Sequence, residues 1–330
     1  MVVSSGARVS EQDRAGGAAS ARWIGLVARS VAVTDASPCI DDALVRRLVS
    51  TQFPRWASLP VKAVEPGGWD NRSFRLGERM IVRLPSAAEY AVQVEKEHRW
   101  LPTLQPYLPL EIPTPIAIGN PAEGYPWKRS IYRWIEGDVA NPERISNLSD
   151  CAGELARFLI ALHEIDPTDG PWPGLHSFHR GGSLEIYDGQ TRRAIAVLER
   201  VIDAEAATTA REAALAERWE RAPVWIHGDI CAANLLVRHG RLSAVIDFGM
   251  LAVGDPACDL AVAWTRLGGE SREVFRTALG FDDGTWDRAR GWTLWKAAII
   301  AARLTETNAS DREQSLRVID EVLSDWRRSL

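Results

Sequence analysis

The stretch Ile226-His227-Gly228-Asp229-Ile230-Cys231-Ala232-Ala233-Asn234-Leu235-Leu236-Val237, followed by Ile246-Asp247-Phe248-Gly249, governs how the rest of the chain is read. A polar loop runs into one apolar segment, and a second apolar segment ends in an aspartate. The His239-Gly240 pair between them predicts a hairpin with strands at Leu235–Val237 and Leu242–Ile246. That hairpin would carry Asp229 and Asn234 before its first strand and Asp247 at the end of its second. Two carboxylates and an amide oxygen meeting at one end suit Mg²⁺, when phosphate oxygens and water complete its shell. Taken singly, Asp229 could be a turn residue and Asn234 a strand-start cap. The combination of H-G-D-x₄-N with I-D-F-G at this spacing carries the reading.

Outward from that stretch, composition excludes more than it identifies. The chain has 330 residues, 46% hydrophobic and 25% charged, with a net charge of −5. Wholesale disorder is excluded, and length favours two lobes over one small module. An isoelectric point near 5.8 argues against general nucleic-acid binding. No apolar run approaches the roughly 18 residues of a membrane span. Cys39, Cys151, Cys231 and Cys258 are far apart with no C-x-x-C pair, which suits a reducing, cytoplasmic setting.

Residues 1–37 read as a disordered or loosely docked extension. Met1–Ser20 is rich in Ala, Gly and Ser, and Trp23–Val33 is broken by Arg29 and lacks a secretory signal's clean apolar centre. From 38 to 137 the pattern is β-rich. A helix is predicted over Ala43–Thr51, and strands at Val61–Val64, Ser73–Leu76, Met80–Leu84 and Arg129–Ile135. A second helix is predicted over Ala87–Leu101, with Pro102 just beyond it. From 138 to 330 helices dominate: Asp150–Glu164, most of Leu184–Trp219, and much of Gly291–Leu330. The fold class is therefore α+β, with a small β-rich lobe, a connector near Gly137 and a larger helical lobe. Residues 1–137 carry 17 Lys+Arg against 14 Asp+Glu, and residues 138–330 carry 22 against 30. One part tolerates a polyanion and the other attracts cations.

The predicted helix over Ala87–Leu101 places Glu97 on the apolar stripe of Tyr90, Val94 and Leu101. A carboxylate on a buried face needs a partner. Arg83 is the nearest candidate, since it alternates with Val82 and Leu84 on the preceding strand. Glu95 is the rival partner, off the stripe. Between the first strands, Glu65-Pro66-Gly67-Gly68-Trp69-Asp70-Asn71-Arg72-Ser73-Phe74 supplies glycines and small polar side chains. Backbone N–H groups there could face phosphates, although a plain hairpin turn reads equally well. His176 and His179 lack further ligands at metal spacing and read as loop residues.

From about Ile40 to its end the chain resembles the aminoglycoside phosphotransferase family, small-molecule kinases with the protein-kinase-like fold. The resemblance rests on His227-Gly228-Asp229, Asn234 and Asp247-Phe248-Gly249, beside the H-R-D-x₄-N and D-F-G of protein kinases. It implies that Asp229 positions or deprotonates an acceptor hydroxyl and that Asn234 and Asp247 hold Mg²⁺. It further implies ATP or GTP as donor, gripped by Arg83 with Glu97 and covered near Gly68 and Ser73. Adenine would meet backbone groups around Trp134 and Ile135. His227 and Asp259 (in Gly254-Asp255-Pro256-Ala257-Cys258-Asp259-Leu260-Ala261) would brace the loop, with Asp255 capping a helix. Arg83 departs from the lysine of protein kinases, though a guanidinium also bridges phosphate oxygens. A cationic aminoglycoside is the implied acceptor, with Glu270, Asp282, Asp283 and Asp287 as candidates to hold it. A metabolic acceptor (choline, a sugar amine, homoserine) or a catalytically silent nucleotide-binding relative are the alternatives.

Overall fold

The computed structural model describes residues 39–65, 70–305 and 307–329. The extension at 1–37 and Gly68 lie outside the described residues. The first helix, α1 (Asp42–Gln52), starts where the Asp41 carboxylate accepts the Leu44 N–H at 2.7 Å. Leu44, Val45, Leu48 and Val49 recur at helical spacing and are all buried. They cover one face of an antiparallel sheet made of β1 (Val61–Ala63), β2 (Asn71–Leu76), β3 (Met80–Pro85), β4 (Pro115–Gly119) and β5 (Arg129–Arg133), in the order β1-β2-β3-β5-β4. Alternation sends Phe74, Leu76, Val82, Leu84 and Ile131 into this small core. Arg83 therefore leaves the central strand on the opposite face, in register with Ser73 on one side and Ser130 on the other.

Helix α2 (Ala88–Leu104) runs past the predicted stop and takes Pro102 inside its last turn. Proline there forfeits one helical hydrogen bond, a modest cost near a C-terminus. Leu101 and Leu104 are fully buried and Trp100 packs on Trp225 at 5.0 Å, so tertiary burial keeps the helix going. These three residues belong to the larger core, and α2 thereby joins the sheet to the helical part.

Beyond the connector, β6 (Asp138–Val139) pairs with β8 (Leu235–Arg238), which forms the predicted hairpin with β9 (Arg241–Val245). His239 and Gly240 turn it with φ of 51° and 78°. β7 (Val224–Ile226) pairs with β10 (Ala252–Gly254) beneath the motif loops. The helices are α3 (Leu148–Glu164), α4 (Asp188–Leu198), α5 (Ala204–Ala216), α6 (Val262–Thr265), α7 (Gly269–Leu279), α8 (Asp283–Ala301) and α9 (Ala309–Ser329). The predicted Leu184–Trp219 block is thus two helices, the second capped by Asp203 accepting Ala206 N–H. α8 starts earlier than predicted, at an Asp282 cap, and is buried along nearly its whole length. Such a helix must satisfy its own charges: Arg288 pairs with Asp255 at 2.7 Å and Arg290 with Asp325 at 2.9 Å. Among the described residues no helix is long and apolar enough to cross a membrane. The four cysteines are unpaired.

Candidate functional site

The H-G-D loop is built by backbone constraints. Gly228 has φ +83°, and a Cβ on it would meet the Met250 carbonyl oxygen at 2.6 Å. Only glycine fits both conditions. Asp259 accepts the backbone N–H of His227 at 2.8 Å and of Gly228 at 2.6 Å, one carboxylate oxygen each. His227 is fully buried against Phe248. Its Nδ1 accepts Asp229 N–H at 3.2 Å and its Nε2–H donates to the Ile246 carbonyl at 3.0 Å, which fixes one neutral tautomer. Burial pushes the ring down to about 4. His227 and Asp259 thus clamp the loop to the strand end that carries Asp247.

Asn234 spends its amide nitrogen on Asp229, on the backbone carbonyl at 3.0 Å and on the carboxylate. Asp247 follows β9 in a left-handed conformation, φ 66° and ψ 70°, a strained choice for a non-glycine residue. Burial, with the Asp247 charge nearby, pushes the Asp229 carboxyl up to about 8. Burial would raise Asp247 as well, but the Arg83 guanidinium holds it below the usual carboxylate range.

Arg83 sits between two acids. Its Nη2 donates to Asp247 Oδ1 at 2.7 Å, and its Nη1 lies 3.5 Å from Glu97 Oε1. The other Glu97 oxygen accepts the Tyr132 hydroxyl. Glu95, the rival, pairs with Lys128. The next residue of α2, Lys96, is also buried and donates to the Gly249 carbonyl at 2.8 Å and to His176 Nδ1 at 2.9 Å and its carbonyl at 3.0 Å. α2 therefore holds β3 through Glu97 and the D-F-G turn through Lys96. His176 is a structural loop residue in this arrangement. Asp70 completes the cluster: burial, then Asp247, pushes it up to about 7, and its Oδ1 is buried with no hydrogen-bond partner.

Among the described residues no three Asp, Glu, His or Cys side chains form a ready-made metal cage. The donor set is nevertheless right for Mg²⁺, which takes one or two carboxylates plus substrate phosphates and water. Asp247 and the Oδ1 of Asn234 are oxygen donors, and Asp70, near enough to feel the Asp247 charge, has a buried Oδ1 with no hydrogen-bond partner.

Similarity to known proteins follows the same stretch of chain. The sequence model of the Phosphotransferase enzyme family (APH) matches residues 62–292, more than half of the protein. The chain belongs to this phosphotransferase family. Its fold is that of solved members. The GDP complex of wild-type aminoglycoside 2'-phosphotransferase-IIIa superposes with TM-score 0.65 at 17% identity, covering 88% of this chain and 100% of that one. The gentamicin complex of APH(2")-IIa gives 0.56 at 20% identity, covering 87% and 97%. The apoenzyme of macrolide 2'-phosphotransferase MphH from Brachybacterium faecium gives 0.55 at 22%, covering 85% and 98%.

Other residues expected to serve a phosphotransferase are placed less uniformly. Ser73 is on β2 beside Arg83. The Trp134 N–H is spent on the Arg79 carbonyl at 2.8 Å, so it is not available to a base. Ile135 packs with Leu236 and Ala244 as an apolar patch under the connector. The four acids expected to hold an acceptor lie at helix starts and in ion pairs. Asp282 caps α8 and pairs with Arg221, Asp287 pairs with Arg290, and Glu270 and Asp283 are exposed in first helical turns. None lines the cavity beside Asp229, whose walls include Arg180, Arg266, Trp292 and Lys296. Sequence reasoning missed Asp70, Lys96, Arg180 and Lys296. Lys96 adjoins Glu97 and Asp70 lies in the quoted glycine loop, so both were within reach. For Arg180 and Lys296 there was no local signal.

Proposed function

We propose that the chain transfers the γ-phosphoryl group of ATP or GTP to a hydroxyl of a small molecule. The observation that carries this reading is that Asn234 bonds Asp229 at the wall of a cavity, Arg83 pairs with Asp247, and the Asp247 charge acts on Asp229, in a member of a phosphotransferase family. In this reading residues 38–137 bind the nucleotide, and residues 138–330 supply the catalytic loop and acceptor site in a cytoplasmic enzyme. Asn234 and Asp247 would hold Mg²⁺, which supplies charge compensation for the phosphates. Arg83, held by Glu97, is suited to grip phosphate oxygens bidentately. Ser73 and Gly68 would cover the phosphates, and the remaining groups around Trp134 with the Ile135 patch would receive the base. Asp229 takes the proton of the acceptor hydroxyl, and its raised pKa matches a base working near neutrality. His227 and Asp259 keep it in place. Catalysis is then alignment plus electrostatics.

An aminoglycoside acceptor is supported by the family, and the intact trio argues against a silent relative. A second reading, a metabolic acceptor, is favoured by the absence of Glu270, Asp282, Asp283 and Asp287 from the cavity beside Asp229, whose arginines suit an acceptor carrying a carboxylate, such as homoserine, better than choline or a sugar amine. Calorimetric titration with ATP and with GTP, with and without Mg²⁺, tests the donor half. Nucleoside-diphosphate release with a panel of hydroxyl compounds tests the acceptor half. Mg²⁺-dependent nucleotide binding and acceptor-dependent release are the expected results; no nucleotide binding removes the proposal.

A further inference from the structure

The cavity beside Asp229 has about 100 Å³ of internal space. Asp229 is the only acid among its lining residues, against Arg180, Arg266 and Lys296. Arg180 is 7% exposed, and its guanidinium lies over the rings of Trp292 at 5.1 Å and Trp295 at 4.8 Å. Among the described residues it forms no ion pair within 4.0 Å, and its Nη1 is buried without a hydrogen-bond partner. Arg266 donates one N–H to the Ala140 carbonyl, while its Nε is likewise buried and unpartnered. The turn that delivers Arg180 is strained, with φ of 44° at Phe178 and 54° at His179. It is pinned by Asp255 N–H donating to the Gly181 carbonyl at 2.8 Å.

Two indole faces stabilise a buried guanidinium only in part, and the nearest acids, Asp229 and Asp259, act on it from beyond ion-pair distance. Backbone strain spent on placing such a group is most often found at sites of function. We propose that this cavity receives an anionic group, a carboxylate or phosphate, belonging to the acceptor, so that the substrate is a small hydroxylated anion. Arg180 and Arg266 take the anion on their unpartnered N–H groups. The same grip leaves a hydroxyl of that molecule beside Asp229. The inference rests on the phosphotransferase reading for what happens to the hydroxyl, but not for the anion site itself. A polycation would meet the two guanidinium charges of Arg180 and Arg266 in this wall against the one acid Asp229, which disfavours it. The space suits a compact polar molecule, since pockets for drug-sized ligands run to roughly 300–1,000 Å³.

The test uses the full chain saturated with Mg²⁺ and a non-hydrolysable ATP analogue, titrated calorimetrically with D-gluconate, inorganic phosphate, D-glucose and kanamycin. Saturable binding of gluconate and phosphate is expected, weakened at least tenfold in Arg180→Met and no more than about threefold in Arg180→Lys, with no binding of glucose or kanamycin. Nucleotide affinity equal to wild type certifies that each variant is folded. Should Arg180→Met not fold, Arg266→Met carries the same expectation. Anion binding that is absent, or indifferent to both arginines, overturns the proposal, as does kanamycin binding tighter than gluconate. Repeating the titration with ADP separates the two sources of an anion. Binding with either nucleotide assigns the site to the acceptor, whereas binding lost only with the triphosphate analogue assigns Arg180 to the γ-phosphate and overturns the claim. Arginine-dependent gluconate binding without any nucleotide binding would keep the anion site and remove the phosphotransferase reading. Kanamycin phosphorylation indifferent to Arg180 would do the reverse.

Discussion

Arg83 Nη2 and Asp247 Oδ1 are 2.7 Å apart, so the central strand of the sheet is tied to the D-F-G turn by an ion pair spanning 164 positions of sequence. Glu97 holds the same guanidinium from the other side at 3.5 Å. The group proposed to grip phosphate and the group proposed to hold the cation are therefore paired with each other. Both acids draw the Arg83 pKa upward in spite of its burial, so its charge is permanent at every working pH.

Removing that charge leaves two acids facing each other. Arg83→Met is expected to lower unfolding free energy by about 3 kcal/mol, the usual cost of stripping one partner from a buried pair. It should also weaken Mg²⁺-nucleotide binding at least tenfold. Arg83→Lys should keep part of both, since an ammonium reaches one acid but not two. Urea unfolding and calorimetric titration read the two effects separately. Nucleotide affinity unchanged in Arg83→Met would remove Arg83 from the donor site.

Gly228 offers a sharper structural test. An alanine there needs φ near +83° and places its Cβ 2.6 Å from a backbone oxygen of Met250. Gly228→Ala is expected to cost at least about 2 kcal/mol. It should displace the Asp229 carboxylate and depress turnover more than nucleotide affinity. Turnover at wild-type level in a folded Gly228→Ala protein would show that the loop is not held as described.

His163 is held near 4 by burial, and its Nε2 has no hydrogen-bond partner. The unfolded chain takes up a proton near 6.5 that the folded chain refuses until about 4. Its contribution to stability is therefore complete above pH 6.5 and falls as pH drops through that window, by at most about 1.4 kcal/mol per pH unit. Asp70, Asp229 and Asp259 act in the opposite sense, because their raised values make the fold take up protons as pH falls through 7 to 8. That contribution is common to wild type and His163→Phe and cancels in their difference. The difference in unfolding free energy, wild type minus His163→Phe, should decline between pH 6.5 and 4.5. A difference independent of pH would mean that His163 protonates freely in the folded protein.

The hairpin and its trio were legible because they are local: a turn signal, two apolar runs and fixed offsets place Asp229, Asn234 and Asp247 at one end. The pairing of Arg83 with Glu97 was legible through strand alternation and helix period. The bond from Arg83 to Asp247 and that from Lys96 to Gly249 were not, since each joins residues more than 150 positions apart. The helix ran through Pro102 because Leu104 is buried in tertiary packing that no local rule registers. The acids from 270 to 287 are candidates only through the polycationic acceptor that the resemblance implies, and any exposed acid of an acidic lobe would read the same way. Net charge says nothing of placement. Asp282 is a cap and Asp287 an intrahelical partner, while the excess of acids conceals a cavity in which Asp229 is outnumbered by Arg180, Arg266 and Lys296.

The most direct measurement is a single-turnover experiment with γ-labelled ATP, Mg²⁺ and the panel of hydroxyl compounds, following label into the acceptor for wild type and Asp229→Asn. Label should pass to at least one acceptor in the wild type, and the substitution should slow that transfer by a factor of 100 or more while leaving nucleotide affinity within about threefold. Label that reaches an acceptor equally fast in Asp229→Asn would contradict the account.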